Sequence, residues 1–199
     1  MARLAPYSNM DVFSHGLWAA ALAKIFNLKQ KKVKVNAWMA AFWGAFPDVF
    51  AFAPVFIWLG YQFFFGNFDF GALGSPEHME PSQPDTLPIF RLTNFLYSLT
   101  HSLFIFVAVF LIIWIIWRRP RYSMFGWLLH ILIDIPTHNY QFYPTPFLWP
   151  FSEWKFDGFS WAEPWFLICN FSALIIVWGF ILRGKRKVKL KNREAVAQA

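Results

Sequence analysis

Residues 92–121 read LTNFLYSLTHSLFIFVAVFLIIWIIWRRPR. No Asp, Glu, Lys or Arg lies between Leu92 and Trp117, and Arg118, Arg119 and Arg121 follow at once. The run exceeds the ~20 apolar residues that carry a helix across a bilayer. Inside lipid only a helix or a closed barrel satisfies its own backbone polar groups, so the stretch reads as a membrane helix. It carries Thr100 and His101 in its first third.

Working outward, the pattern repeats. Segment one, from Asn9 to Leu28, is apolar on one side but carries Asp11, Ser14, His15 and Asn27; it reads as a span or an interfacial helix. Segment two, Ala37 to Phe65, is longer than a crossing needs and contains Pro47 and Pro54, so a kinked or broken helix is expected. Segment four is short, Tyr122 to His138, and segment five runs from Trp161 to Leu182. The reading is an all-α integral membrane bundle with about five apolar segments. Residues 1–183 form one membrane-embedded domain, and 184–199 a basic tail whose polar end is expected to be disordered. The first apolar stretch lacks a small-residue cleavage site, so the N-terminus is expected to be retained.

Composition agrees. The chain is 57% hydrophobic, 15% charged and 22% aromatic, whereas soluble domains are about 45–50% apolar and about 25% charged. The net charge of +7 is clustered rather than spread over a face, which excludes a nucleic-acid-binding surface and points to topology. Basic clusters follow segments one (Lys29, Lys31, Lys32, Lys34), three (Arg118, Arg119, Arg121) and five (Arg183 to Arg193). A Gly- and Pro-rich acidic loop, 66–91, follows segment two, and a second loop, 139–160, rich in Pro, Trp and Tyr, follows segment four. The positive-inside rule then places the N-terminus and both loops outside and the C-terminus in the cytoplasm of a multi-pass plasma-membrane protein. The basic clusters also read as contacts for anionic lipids. The single cysteine, Cys169, permits no intrachain disulfide.

The apolar segments hold one lysine, Lys24, yet they carry Asp11, His15, Asp48, His101, His130, Asp134 and His138. Isolated ionisable groups at the bilayer centre cost ~2.5–3.5 kcal/mol each, so they normally face one another or a cavity. Acids and imidazoles without a basic partner call for a cation, and both are ligands of zinc and similar ions. His130 and Asp134, at i and i+4, share a helix face about 6 Å apart along the axis. In the orientation above, His15, His101, Asp134 and His138 approach the outer side and Asp48 lies midway beside a proline, so convergence at one depth is expected.

Plainer readings compete. A lone membrane histidine more often bonds a neighbouring helix than a metal, and Asp48 also reads as a cap on the second half of a broken helix. Asp11 reads as interfacial, His78 as a solvated loop residue, and the tryptophans at 149, 154, 161 and 165 as an interface belt.

Four ordered pieces carry a family resemblance: Phe13-Ser14-His15-Gly16-Leu17, Phe46-Pro47-Asp48, Leu99-Thr100-His101-Ser102-Leu103, and Gly126 to Asp134 followed by Phe147-Leu148-Trp149-Pro150-Phe151. Over residues 10–152 they resemble the LexA-regulated, YdjM-like family of bacterial inner-membrane metal-dependent hydrolases. That family is in turn similar to the zinc-dependent phospholipase C and single-strand nuclease superfamily. The resemblance implies His15, Asp48, His101, His130, Asp134 and His138 as metal ligands, for one or two divalent ions, zinc first and manganese second. The soluble enzymes continue with a further His-x-x-x-Glu pair. Here only Glu153, Asp157 and Glu163 follow as late candidates. The activity implied is metal-assisted hydrolysis of a phosphoester on a lipid or lipid-linked substrate, with Asp48 as base or water-orienting ligand. The rival is an ion- or proton-coupled transporter with an intramembrane Asp/His relay. A haem protein fits the acids beside the histidines poorly.

Overall fold

The computed structural model describes residues 12–30, 32–66, 88–140 and 143–197, with side chains as far as Gly184. Asp11, Lys31, His78 and the acidic residues of the 67–87 loop lie outside the described residues. The described chain is helical: α1 (Val12–Lys29), α2 (Ala37–Phe65), α3 (Pro88–Thr100), α4 (Leu103–Trp117), a short 3-10 turn (Tyr122–Met124), α5 (Phe125–Thr137) and α6 (Pro164–Ala197). Helices α1, α2 and α5 pack on one another; α3 lies on α2 and α6 on α1.

Small residues set the centre. A Cβ on Gly44 would sit 2.7 Å from the His15 carbonyl oxygen and 2.8 Å from Ala19 Cβ. One on Gly126 would collide with the Ala40 carbonyl and lie 3.0 Å from Gly44 N. One on Gly16 would lie 3.2 Å from the Ala41 carbonyl oxygen. The three backbones therefore touch where α1, α2 and α5 cross, the close approach that glycine and alanine permit between membrane helices. Ala19, Ala20, Ala21 and Ala23 of α1 are buried in the same region. An aromatic cluster fills the other side of α5: Trp43 stacks on Trp127 at 5.9 Å, with Phe46 and Phe106 edge-on to the same indole.

The outer faces are apolar. Ile57, Phe64, Ile115, Ile168, Ile175 and Phe180 are all exposed, an arrangement that water penalises and lipid does not. Among the described residues, two helices, Ala37–Phe65 and Pro164–Gly184, are long and apolar enough to cross a membrane, or up to three spans if α3 and α4 count as one bent pair. That compares with about five apolar segments in the sequence. Helix α5 spans 13 residues, about 20 Å, and so falls short of a ~30 Å hydrocarbon core.

Three expectations change in detail. Helix α2 continues through both prolines, and the sharp bend lies in segment three, where α3 and α4 meet at 66°. The reason is local. Ser102 turns extended and caps α4, its hydroxyl accepting from Ile105 N, and the Phe147–Trp149 stretch fills the break. Leu103 N donates to the Phe147 carbonyl at 3.0 Å, and Ser102 Oγ donates to the Trp149 carbonyl. Segment three also begins earlier, with Pro88 in the first helical position, where its missing N–H costs nothing. The tail expected to be disordered continues α6 to Ala197. Its Lys, Arg, Glu and Ala residues are strong helix formers, and the apolar half supplies the nucleus.

The connections bearing the basic clusters gather at one end. Gly126 at the start of α5 abuts Ala40 near the start of α2. Trp178 and Ile181 of α6 share a cavity with Asn27, Leu28 and Val35 of the α1–α2 connection. That connection is pinned by Asn27, whose amide donates to the Val35 carbonyl at 2.7 Å and accepts from Val35 N at 2.8 Å.

Candidate metal centre

Asp48, His101, His130 and Asp134 are buried together, with one potential ligand atom from each within 4.8 Å of all the others. His101 Nε2 lies 3.0 Å from His130 Nε2 and 3.2 Å from Asp134 Oδ2. His130 Nε2 lies 3.0 Å from the same oxygen. Asp48 Oδ1 is 3.4 Å from His101 Nε2 and 3.5 Å from His130 Nε2. Four ligands held ~2.0–2.1 Å from a tetrahedral ion stand about 3.3–3.4 Å apart. Five of the six edges of this cage bracket that length.

The tautomers sharpen the point. His130 Nδ1 donates to the Gly44 carbonyl at 2.7 Å, and His101 Nδ1 to the Tyr97 carbonyl at 3.0 Å. A carbonyl only accepts, so in each ring Nδ1 carries a proton, and a neutral ring then presents its Nε2 lone pair. With both rings neutral, two lone pairs and two carboxylates converge, a donor set that fits a divalent cation. A backbone carbonyl fixing the far nitrogen is the usual support of a metal-bound histidine.

Local chain features place each ligand. Pro47 removes the amide that would serve the Trp43 carbonyl and loosens that turn of α2. Two carbonyls of the loosened turn take side-chain donors from other helices, Gly44 from His130 and Pro47 from the Thr100 hydroxyl at 3.2 Å. Asp48 follows the proline directly. His101 sits at the α3–α4 break under the Tyr97 ring, 3.7 Å between centroids. The same Thr100 oxygen lies 3.1 Å from His101 Nδ1, and the Thr100 carbonyl accepts from the Trp127 indole at 2.6 Å. Replacing Thr100 by valine keeps the shape and removes this fork. Metal affinity is expected to fall about tenfold with the fold intact, because His101 loses a group that helps to hold its ring. Unchanged affinity in a metal titration would deny Thr100 that role.

All six residues selected from sequence gather around Asp134. His15 Nε2 lies 3.2 Å from Asp134 Oδ1, and its ring is 4.0 Å from that of His130. His138 Nδ1 donates to the Asp134 carbonyl at 3.1 Å and is 3.9 Å from Oδ1. These two histidines therefore flank the second oxygen of Asp134 and stand outside the four-atom cage. Asp134 Oδ1 and His15 Nδ1 are buried without a hydrogen bond. The late acids Glu153, Asp157 and Glu163 are exposed and outside the cage; Asp157 instead accepts from Tyr140 N at 3.0 Å.

Sequence reasoning missed the tyrosines. Tyr97 covers His101 and donates to the Tyr143 carbonyl at 3.3 Å. Tyr143 donates to Asn94 at 2.7 Å from a left-handed backbone, φ 46°, which is uncommon for a ring-bearing residue and marks local strain. Burial pushes the Tyr143 phenol up, so it stays a donor through the physiological range. The signal for Tyr97 was its i−4 spacing from His101; Tyr143 left none. The 158–161 stretch also ties to the site, with Gly158 N donating to the His138 carbonyl and Trp161 N to that of Thr137.

An all-helical, lipid-faced bundle closed around a buried His/Asp cage defines a membrane protein with a site suited to a divalent metal. The model of the YdjM inner membrane protein family matches residues 10–197, nearly the whole chain, and the chain belongs to that family. No curated protein and no solved structure matches it. Family and apolar helices together place it in the inner membrane.

Proposed function

We propose that the protein is a membrane-embedded metal-dependent hydrolase acting on a phosphoester of a lipid or lipid-linked substrate. The observation that carries this reading is the cage: four acceptor atoms at tetrahedral spacing, with both imidazole protons turned away to backbone carbonyls.

Zinc or manganese bound there would supply Lewis acidity to a phosphoryl oxygen and lower the pKa of water towards ~7. The chain's own residues do the rest. His101, His130 and Asp134 hold the centre rigidly, their side chains at most 1% exposed. Asp48 keeps 10% side-chain exposure, and His15 and His138 keep 13% and 10%. Water and substrate therefore reach the site on the side of these three residues, where Asp48 is the base or water-orienting group. The similarity of the ordered ligand set to the zinc-dependent phospholipase C and nuclease superfamily supports a phosphoester over an acyl bond. The orientation with the basic end cytoplasmic puts the site towards the outer leaflet and makes lipid the natural substrate.

Metal-loaded protein in mixed micelles of bacterial phospholipid is expected to release headgroup phosphoester. His101→Ala is expected to lose at least about 1000-fold of that rate, because ligand loss removes the activation of water. Release that persists in His101→Ala, or is absent from wild type with metal bound, would overturn the assignment.

A further inference from the structure

A cavity of about 550 Å³ lies between α1, the start of α2 and α6, at the end of the bundle that bears the basic clusters. Its walls are mostly apolar, running from Gly16 and Ala20 to Leu28 on α1 and across to Ala41 and Ile181. Of its polar lining residues, Asn27 is engaged with Val35 and Trp38 is exposed, while the other two, Lys24 and Trp178, lie together. Lys24, the single basic residue within the apolar segments, holds its ammonium 4.7 Å from the centre of the Trp178 ring. Trp178, also in the wall, has its indole N–H buried without an acceptor.

The cation–π contact holds the Lys24 ammonium at the wall of the cavity. An indole N–H buried without an acceptor carries a cost. Both groups donate and neither accepts, so the complementary ligand is an anion with hydrogen-bond-accepting oxygens. The long apolar wall asks that the same ligand carry a hydrocarbon chain. Lys34 at the adjacent turn and Arg183 on α6 raise the local positive potential. Lys24 is nine residues beyond His15 on the same helix, about 13 Å along the axis, so a phosphate held here stands clear of the metal cage.

We propose that this cavity binds one anionic phospholipid, its phosphate between Lys24 and Trp178 and one acyl chain along α1 towards Gly16. The lipid bridges α1, α2 and α6 and acts as a structural ligand of the bundle, independently of any reaction at the metal centre.

The test is native mass spectrometry of the full chain after extraction from nanodiscs of phosphatidylglycerol and phosphatidylcholine in equal parts. Wild type is expected to retain one phosphatidylglycerol in preference to phosphatidylcholine. Lys24→Gln and Trp178→Phe are each expected to bind it about tenfold more weakly, the loss of one charged or buried contact. Lys32→Gln, at the exposed turn, is expected to match wild type. Trp178→Phe keeps the ring and decides the matter if Lys24→Gln fails to fold, and thermal melts report folding in each case. Equal retention of both lipids, retention unchanged in Trp178→Phe, or glycerol phosphate competing as well as the whole lipid would overturn the proposal.

Discussion

Protein purified in detergent without chelator is expected to carry about one divalent ion per chain, and the His130→Ala/Asp134→Ala double variant to carry none. The expected loss of affinity is well over 100-fold, since outer-sphere changes alone cost 10–100-fold. The physical basis is the crowding of acceptors. The facing oxygens of Asp48 and Asp134 lie within 4.8 Å, and two unit charges at that spacing repel by about 3.5 kcal/mol at an effective dielectric of ~20. The lone pairs of His101 and His130 add to this at 3.0 Å. A bound cation attracts all four groups and outweighs these repulsions, so stripping the metal is also expected to lower the melting temperature by several degrees. Elemental mass spectrometry on both proteins, with melting curves before and after chelation, makes the check. Wild type that is folded, never exposed to chelator and free of metal would mean that protons hold the cage together, and would move the balance to the proton-coupled reading.

The second large effect is expected at Gly44. Substitution by leucine drives the side chain into the His15 carbonyl and Ala19, atoms that cannot move without separating α1 from α2. Overpacking a filled core costs about 1–3 kcal/mol, and more where backbone is struck. A cost of about 3 kcal/mol or above is therefore expected, seen as loss of folded protein in detergent and of metal binding together, because the carbonyl that orients His130 belongs to Gly44 itself. Gly60, whose Cβ would meet nothing within 4 Å, is the control and is expected to accept alanine without loss. Wild-type melting of Gly44→Leu would show that the three helices do not meet as described.

Much of the site was legible because the bilayer makes polar residues conspicuous. Asp48, His101, His130 and Asp134 stood out against long apolar runs, and the i, i+4 spacing put His130 and Asp134 on one face. Division of labour was less legible. Nothing in the order of histidines tells that His15 and His138 flank the far oxygen of Asp134 while His101 joins the cage. That depends on how α1 and α5 cross at Gly16, Gly44 and Gly126, a tertiary property. The bend also fell elsewhere than proline alone suggests. Pro47 and Pro54 are absorbed within α2, whereas Ser102, an ordinary residue by composition, breaks α3 from α4 because a loop from much later in the chain meets it. The number of crossings is a third case, since hydropathy counts apolar segments, whereas helix length and composition among the described residues admit two spans, or three with the bent pair.

The break at Ser102 has a consequence for the order in which the protein is made. His101 is emplaced by Phe147 and Trp149, and its partner ligand His130 leans on Gly44, 86 positions earlier. A ribosome that has delivered α1 to α4 has therefore delivered a chain with Asp48 and His101 but no finished cage. Metal capture must wait until the chain beyond residue 149 has emerged and folded back. Nascent chains arrested before that point hold no finished cage, and a bound ion would register that synthesis has run well into the connection between α5 and α6.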